Sequence, residues 1–220
     1  MTSLADVVEI RLTRVKAHLV LEPELSLIDC GYAGQGSRIG RAIAGHGRDP
    51  ASLRRVVLTH GHPDHAGSAR ELAMNGAAIL IHPADGARLA LTWRDVARAP
   101  SRGGLFAALT PEPPAFEPIE DGQVLPLLGG LRVVHTPGHT PGSVCLYGGR
   151  DRVLFVGDVL QRRFGKVSFA SRLYSDDHAA ARRSVKRLAQ LDVKTLVFSH
   201  FAPVEDGAAE ILAELAARAG

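Results

Sequence analysis

The chain has 220 residues, of which 45% are hydrophobic and 22% charged, the composition of an ordinary globular protein. That length suits one domain, and we predict a single domain over residues 1–220. Charged residues are scattered through residues 1–20, which argues against a secretory signal, and the longest apolar runs are too short to span a membrane. The two cysteines, Cys30 and Cys145, indicate no disulfide framework. We therefore expect a cytoplasmic protein.

The net charge of +3 does not indicate a nucleic-acid partner. Lysine and arginine are spread along the chain in short clusters such as Arg162–Arg163 and Arg182–Arg183, whereas nucleic-acid-binding surfaces concentrate them in one stripe. We expect neither nucleic acid nor a membrane as partner, and the sequence carries no signal for or against a homo-oligomer. The unusual feature of the composition is its ten histidines.

The first part of the chain alternates between short apolar runs and turn residues. Period-two alternation over Glu9–Asp29, broken at Pro23, predicts two strands joined by a turn. The glycine-rich stretch Cys30–Gly36 predicts a loop. Beyond it the pattern predicts, in order, a helix at Ser37–Ala44 capped by Ser37, a buried strand ending at Val56-Val57-Leu58, a helix at Ala66–Asn75, a strand at Ala77–His82 and a helix at Ala84–Leu91.

Residues 92–120 lack sustained periodicity and contain Trp93, five prolines and the pair Gly103-Gly104. We interpret this segment as an irregular excursion, either a lid over a site or an insertion. The rest of the chain returns to regular patterns. It predicts strands at Gln123–Leu128, Leu131–Thr136, Ser143–Tyr147, Arg152–Val156 and Lys194–Phe198, and helices at Asp177–Gln190 and Asp206–Ala217.

Four predicted strands each end just before a side chain that can bind a metal ion. These side chains are, in chain order, His60, His139, Asp158 and His200. In open α/β sheets, ligands gather at the carboxyl edge of the strands. The sequence therefore predicts that these four side chains belong to one site.

The densest cluster is the hexapeptide His60-Gly61-His62-Pro63-Asp64-His65. Glycine and proline disfavour a regular helix here, so His60 and His62 are expected in extended backbone, pointing to the same side. With His139 they form a three-imidazole set that suits zinc, while Asp64, His65 and His200 form a second set. A bridging carboxylate can bind one ion with each oxygen, and we assign that role to Asp158. The predicted metal ligands are therefore His60, His62, Asp64, His65, His139, Asp158 and His200.

Each of these residues taken alone has a simpler explanation. Asp64 can be a helix N-cap, Asp158 a turn residue, His139 a loop residue and His200 a core histidine. The conjunction of one histidine-rich hexapeptide with three partners at strand ends favours a metal centre. The other five histidines are predicted outside it: His18 and His46 at the surface, His82 at the end of a strand, His135 in a strand and His178 in a helix.

These motifs resemble those of the metallo-β-lactamase superfamily. The resemblance rests on Thr59–Gly67, Thr136–Thr140, Gly157-Asp158 and Ser199-His200, and it begins with Leu27–Gly31. It implies an α+β fold, the αββα four-layer sandwich, in which two β-sheets pack together with helices outside. It also implies that Asp29 supports the metal loop from behind the ligands. Two positions depart from the family pattern, Cys30 where threonine is usual and Ser199 where glycine is usual, and neither removes a ligand.

The resemblance implies a binuclear hydrolase with two Zn²⁺ ions. Asp158 indicates the glyoxalase II and lactonase branch, because true metallo-β-lactamases generally lack this carboxylate. A metal-bridging hydroxide would attack a small ester, thioester or lactone, and Asp64 would be the catalytic residue that orients it and moves its proton. We expect a partly apolar, anionic small-molecule substrate, held between residues 92–120 and the cation-bearing segment Gln161–Tyr174.

Two other functions remain open from the sequence. A mononuclear iron persulfide dioxygenase of the same fold would use His60, His139 and Asp158, so Fe²⁺ or mixed metals are alternative cofactors. A non-catalytic metal-binding module is the third candidate. It is the least favoured, because structural zinc sites are closed and usually four-coordinate.

Overall fold

The computed structural model describes residues 6–89, 93–98, 105 and 108–220. The chain separates into two units, which divide between Ile119 and Glu120. Each unit is built on its own β-sheet. The N-terminal unit carries the histidine-rich hexapeptide, and the C-terminal unit carries the other three predicted ligands.

The sheet of the N-terminal unit has six strands: β1 Val7–Arg11, β2 Lys16–Val20, β3 Leu25–Ile28, β4 Leu53–Val57, β5 Ala78–Ile81 and β6 Glu117–Pro118. They lie in sequential order, β1 to β3 antiparallel and β3 to β6 parallel. Leucine, isoleucine and valine fill the central strands, and Leu19, Leu27 and Val56 are completely buried.

The helices of this unit connect its parallel strands, because such strands need a crossover. They are α1 Gly36–Gly45, α2 Pro63–Ala66, α3 Ala69–Met74, α4 Pro83–Leu89 and α5 Trp93–Arg98, with a 3₁₀ turn at Pro50–Ser52 before β4. In α1, Ile39 and Ile43 lie four residues apart and join the same hydrophobic cluster as the sheet.

The C-terminal unit has the strands β7 Val124–Leu125, β8 Leu131–His135, β9 Val144–Gly148, β10 Val153–Phe155, β11 Leu160–Arg163, β12 Lys166–Phe169 and β13 Thr195–Val197, and the helices α6 His178–Leu188 and α7 Ala208–Ala217. Its five-stranded sheet has the order β13-β10-β9-β8-β7, in which only β10 and β13 are parallel neighbours. Strands β11 and β12 form a separate hairpin. Leu154, Leu160, Val185 and Leu212 join sheet, hairpin and helices in one core. None of the described helices is both long and apolar enough to cross a membrane.

The predicted helix at Ala66–Asn75 is wrong at its start, because the structure has two helices separated at Gly67 and Ser68. A Cβ on Gly67 would lie 2.4 Å from the backbone nitrogen of Ala33. Ser68 Oγ donates a hydrogen bond to the carbonyl oxygen of Tyr32 at 2.6 Å. Contacts with the loop after β3 therefore interrupt a helix whose sequence spacing is continuous.

The two strands predicted over Glu9–Asp29 are three in the structure, since β1 precedes β2 and β3. Two expectations about single residues are also wrong. Ser37 does not cap α1: the helix begins at Gly36, whose backbone N–H donates to Glu71 Oε2 at 3.2 Å, so a distant carboxylate serves the helix end. His18 is not at the surface but 4% exposed. It lies in β2, an interior strand in which Ala17–Val20 are all buried, so both faces of the strand are covered.

Part of the segment 92–120 is regular. It contains α5, and β6 extends the sheet beside β5. Residues 90–92, 99–104 and 106–107 lie outside the described residues. The end of the helix predicted at Ala84–Leu91, the Gly103-Gly104 pair and Phe106 fall among them. The role of this segment as a lid stays a prediction.

Candidate metal centre

The hexapeptide His60–His65 follows β4 and runs into α2. His62 is the N-cap residue of α2 and has extended backbone, as predicted, while Asp64 and His65 lie inside the helix. Asp64 is therefore not an N-cap, which removes the simpler explanation of that residue. The sequence Gly-His-Pro sets this geometry, because proline at the first helical position fixes the start of the helix.

The imidazoles of this loop lie against one another. The ring centroids of His60 and His62 are 4.8 Å apart, and those of His60 and His65 are 4.0 Å apart. The ligand atoms of Asp64 and His65 lie within 4.8 Å of each other, with Asp64 Oδ2 3.8 Å from His65 Nε2. The three histidines are buried, whereas Asp64 is partly exposed. The N-terminal unit therefore gathers all four of its predicted ligands.

A buried carboxylate, Asp29, fixes this loop. It is completely buried and accepts hydrogen bonds from the backbone N–H of Thr59 at 2.8 Å and from Thr59 Oγ1. Its other oxygen, Oδ2, lies 2.8 Å from His65 Nδ1. That contact orients the ring so that Nε2 is the nitrogen available to a metal ion. The supporting role that the family resemblance implies for Asp29 therefore fits its contacts.

Cys30 adds a second support to the same loop. Its backbone N–H and its thiol both donate to the carbonyl oxygen of His65, at 2.7 and 3.1 Å. Burial raises the pKa of the Cys30 thiol well above its usual range, so the group stays a neutral donor. The thiol therefore serves as a hydrogen-bond donor at the position where the family usually has threonine.

Sequence reasoning missed the partners of Gly61. Asp85, in α4, is completely buried and accepts a hydrogen bond from the backbone N–H of Gly61 at 2.8 Å. Thr110 Oγ1 donates to the carbonyl oxygen of Gly61 at 3.2 Å. Both backbone groups between His60 and His62 are thus held. No motif marks Asp85 or Thr110, because each contacts the loop from a distant part of the chain.

The C-terminal unit brings its three predicted ligands together around Asp158. Asp158 Oδ2 lies 3.6 Å from His139 Nε2, and Asp158 Oδ1 lies 3.5 Å from His200 Nε2. The two carboxylate oxygens thus serve two different histidines. Their side chains differ in exposure, at 2% for His139, 22% for Asp158 and 24% for His200.

The position of His139 depends on the start of α6. Gly138 has a φ of 136°, and a Cβ there would lie 2.0 Å from the backbone nitrogen of Ala181. Ser175 Oγ lies 3.4 Å from His139 Nδ1, and the backbone N–H of Asp176 donates to the carbonyl oxygen of His139 at 3.1 Å. Ser175 is a further supporting residue that the sequence does not reveal.

The spacing around Asp158 fits metal ligands better than hydrogen bonds. An N–H···O hydrogen bond spans about 2.7–3.2 Å, which is shorter than the 3.5 and 3.6 Å found here. Two ligand atoms on one tetrahedral zinc ion, each about 2.1 Å from it, lie about 3.4 Å apart. The imidazole and carboxylate donors also suit zinc or iron. The residues present therefore fit a metal centre.

The other histidines lie where they were predicted, apart from His18. His46 is exposed, His82 directly follows β5, His135 ends β8 and His178 begins α6.

The comparison with known sequences finds one family and several relatives. The model of the metallo-beta-lactamase superfamily matches residues 22–200. The chain is 32% identical to the uncharacterized protein YobT and 29% identical to the probable metallo-hydrolase YflN, both of Bacillus subtilis. It is 35% identical over 129 residues to a Bos taurus protein named acyl-coenzyme A thioesterase MBLAC2. These matches cover 69%, 81% and 51% of this chain, and 64%, 75% and 44% of the relatives.

Solved structures resemble the chain over almost its whole length. A metallo-beta-lactamase family protein of Thermus thermophilus, TTHA1429, superimposes with a TM-score of 0.76 at 24% identity, over 98% of this chain and 79% of that one. TTHA1623, solved in a di-iron-bound form, superimposes with a TM-score of 0.69 at 27% identity, over 97% and 98% of the two chains.

Proposed function

The chain belongs to the metallo-β-lactamase superfamily, and from this membership we propose that it is a binuclear, zinc-dependent hydrolase of a small-molecule ester, thioester or lactone. The predicted α+β fold of that superfamily and the assignment as a metal-dependent hydrolase are confirmed. The two-ion centre, its zinc and its substrate are the parts that we propose.

One observation carries the two-ion centre: the carboxylate of Asp158 divides between two histidines. Its Oδ2 lies beside His139 and its Oδ1 beside His200, at distances typical of neighbouring ligand atoms. If Asp158 bound a single ion, its two oxygens would not each be expected to lie beside a different imidazole. A bridging carboxylate binds one ion with each oxygen, so a different histidine is expected beside each, and it also reduces the repulsion between the two cations.

The N-terminal unit supplies the rest of the proposed ligand set. We assign His60 and His62 to the ion of His139, and Asp64 and His65 to the ion of His200, with Asp158 on both. When bound, such a pair of ions acts as a Lewis acid toward a carbonyl oxygen and lowers the pKa of water toward neutrality. The fixed orientation of His65 by Asp29 fits this role, because ligating histidines usually bond their other ring nitrogen to a supporting group.

Asp64 is the residue that we assign to proton transfer. It borders the ligand His65, and its side chain is 21% exposed. A carboxylate in that position can orient an attacking water molecule through one oxygen, accept its proton and return it to solvent. The loop on the N-terminal side of Asp64 is held at Gly61 by hydrogen bonds to Asp85 and Thr110.

Iron is the competing metal. TTHA1623 was solved with two iron ions, and histidine and carboxylate ligands accept iron as well as zinc. A single iron ion on His60, His139 and Asp158 would support the dioxygenase alternative. The divided contacts of Asp158 favour two ions instead.

Hydrolysis assays with metal-loaded protein test the proposal. We expect hydrolysis of a nitrophenyl ester, an acyl thioester or a lactone, with zinc restoring the activity that a chelator removes. Asp64→Asn should lower kcat by roughly 10²–10⁴-fold. Asp158→Ala should abolish activity together with metal content. The matched control is His46→Ala, since His46 is exposed and outside the ligand set. An Asp158→Ala variant with full activity would contradict the assignment.

A further inference from the structure

The turn of the hairpin β11–β12 contains a residue, Phe164, that does not stabilise the turn. At the tip, Phe164 has a φ of 50° and Gly165 a φ of 78°, both in the left-handed region that a two-residue type I′ turn requires. Glycine adopts this conformation freely, but phenylalanine does so at a cost in free energy. Phe164 is 92% exposed, so burial does not offset that cost. A strained, exposed aromatic residue indicates a role in binding.

Cations surround this ring. In the hairpin register Arg163 lies opposite Lys166, directly beside the tip. The guanidinium carbon of Arg163 is 5.2 Å from the centre of the Phe164 ring, and Arg162 donates a hydrogen bond to the carbonyl oxygen of Gly165 at 3.2 Å. Arg163 and Lys166 are exposed. The tip therefore presents one aromatic face and two unburied positive charges to solvent.

The charge extends beyond the tip. Between residues 161 and 183, six basic residues stand against two acidic ones, so this stretch carries a net charge of +4, more than the +3 of the whole chain. Burial lowers the pKa of His178, and the neighbouring charges of Arg172 and Arg182 lower it further. The basic residues are Arg162, Arg163, Lys166, Arg172, Arg182 and Arg183.

The hairpin is connected at both ends to predicted metal ligands. Strand β11 begins two residues after Asp158. At the other end the backbone N–H of Ala170 donates to the carbonyl oxygen of Val159 at 2.9 Å, and the chain then reaches Ser175 beside His139. Phe164 is six residues beyond Asp158, a reach of at most about 20 Å of extended chain. A cationic tip within that distance of Asp158 can bind an anionic group of a substrate whose scissile bond lies at the metal centre.

We propose that the hairpin tip binds the phosphorylated, nucleotide-like end of an acyl thioester, a substrate class that rests on the hydrolase function proposed above. Arg163 and Lys166 bind phosphate groups, and Phe164 stacks on a planar base. The acyl end reacts at the metal centre. There the oxygen of water bonds to the acyl carbon, the carbon–sulfur bond breaks, and the carrier leaves as a thiol with a proton.

The bovine relative named acyl-coenzyme A thioesterase is consistent with this class, since coenzyme A is a phosphorylated nucleotide thiol. An anionic membrane surface also attracts arginine, lysine and phenylalanine. The substrate is favoured because the two ends of the hairpin are hydrogen-bonded to each other at Val159, the residue after Asp158, and because the chain beyond the hairpin contacts His139 through Ser175.

Calorimetric titration with adenosine 3′,5′-bisphosphate tests the site in the metal-loaded protein. This probe has phosphates and a base but no thiol or acyl group, so its binding requires no hydrolysis. We expect Arg163→Gln/Lys166→Gln to weaken binding by about tenfold or more, as the loss of two charge-assisted hydrogen bonds implies. The control Arg150→Gln/Arg218→Gln removes two exposed charges from the same unit and should bind as the wild type does.

Phe164→Asn separates binding from turn stability. Asparagine followed by glycine is a preferred type I′ pair, so this variant should melt at the same temperature as the wild type or higher. If Phe164 stacks on the base, the same variant should bind the bisphosphate several-fold more weakly. If Phe164 were only structural, Phe164→Asn would melt at a lower temperature and bind the bisphosphate as the wild type does.

The substrate class is tested by the hydrolysis kinetics of two thioesters that carry the same acyl group on different thiols. The ratio of kcat/KM for the coenzyme A thioester to that for the N-acetylcysteamine thioester should fall about tenfold in Arg163→Gln/Lys166→Gln. Equal nucleotide binding by this variant and the wild type would overturn the proposal. So would hairpin-dependent binding to phosphatidylglycerol vesicles without nucleotide binding. Hairpin-dependent nucleotide binding with no hydrolysis of either thioester would contradict the hydrolase function and not the binding site.

Discussion

At the scale of single residues, Asp29 contacts the predicted ligand His65 and Thr59, the residue before His60. Its oxygens accept from Thr59 and contact His65 Nδ1, all in a completely buried setting. Its φ of 58° is left-handed, which asparagine tolerates better than alanine does. Asp29→Asn therefore keeps the side-chain shape and the backbone conformation, but it places an NH₂ group against one of the donors, on Thr59 or His65.

We expect Asp29→Asn to fold and to bind metal roughly 10–100-fold more weakly, the usual effect of losing a supporting hydrogen bond to a ligand. Asp29→Ala should also lose stability, because buried donors then lack acceptors. Competition with a chromophoric chelator measures the affinity. The control is Asp206→Asn at an exposed position. Unchanged affinity in Asp29→Asn would show that the ligands do not depend on this carboxylate.

His18 gives the protein a pH dependence of its own. Burial lowers the pKa of His18 to about 4. The unfolded chain, with a pKa near 6.5, binds the proton first, so stability falls as the pH drops from about 6.5 to about 4 and levels off below. The shift corresponds to about 3 kcal/mol. Urea unfolding of metal-free protein should show this slope, and His18→Gln should reduce it. His46→Gln should keep the slope, and an equal slope in both variants would contradict the assignment.

The positions of the predicted ligands after the strands could be located at this scale, whereas the residues that support them could not. His60, His139, Asp158 and His200 all follow predicted strands, so local sequence places them. Asp85 and Ser175 support the site across 24 and 36 residues of chain. Aspartate and serine are common in helix starts and turns, so neither carries a local signal.

At the scale of elements, the sequence predicted several central strands more accurately than helix ends, but it missed β1 and the hairpin β11–β12. Strands β4, β5 and β8 to β10 lie where apolar runs indicated them. The break between α2 and α3 and the start of α1 depend on long-range contacts of Ser68 and Glu71, which periodicity does not contain. The close approach of Gly138 to the backbone of α6 is likewise a long-range contact that periodicity does not contain.

Gly138→Ala tests that fit. The added Cβ would meet the backbone of α6, and a flexible side chain is not there to move aside. We expect a loss of stability of about 1–3 kcal/mol from overpacking, with weaker metal binding because His139 is the next residue. Gly45→Ala is the control, since a Cβ at this exposed end of α1 would meet nothing within 4 Å. Urea unfolding of both variants measures the difference. Equal stability would contradict the close packing of Gly138.

At the scale of the whole molecule, the proposed ligands come from both units of the chain. The N-terminal unit carries four and the C-terminal unit carries three. The superfamily match at residues 22–200 includes all seven. The resemblance could be recognised from the sequence because those residues lie in short motifs. The resemblance also implies two ions, and that number stays a proposal, which the divided contacts of the Asp158 oxygens support.

The most direct test of the two-ion centre is the metal content of protein expressed without metal supplementation, combined with X-ray absorption at the metal edge. We expect two ions per chain, predominantly zinc, about 3.5–4 Å apart. Asp158→Ala should hold at most one of them. A single iron ion per chain, or two ions retained in Asp158→Ala, would contradict the binuclear centre.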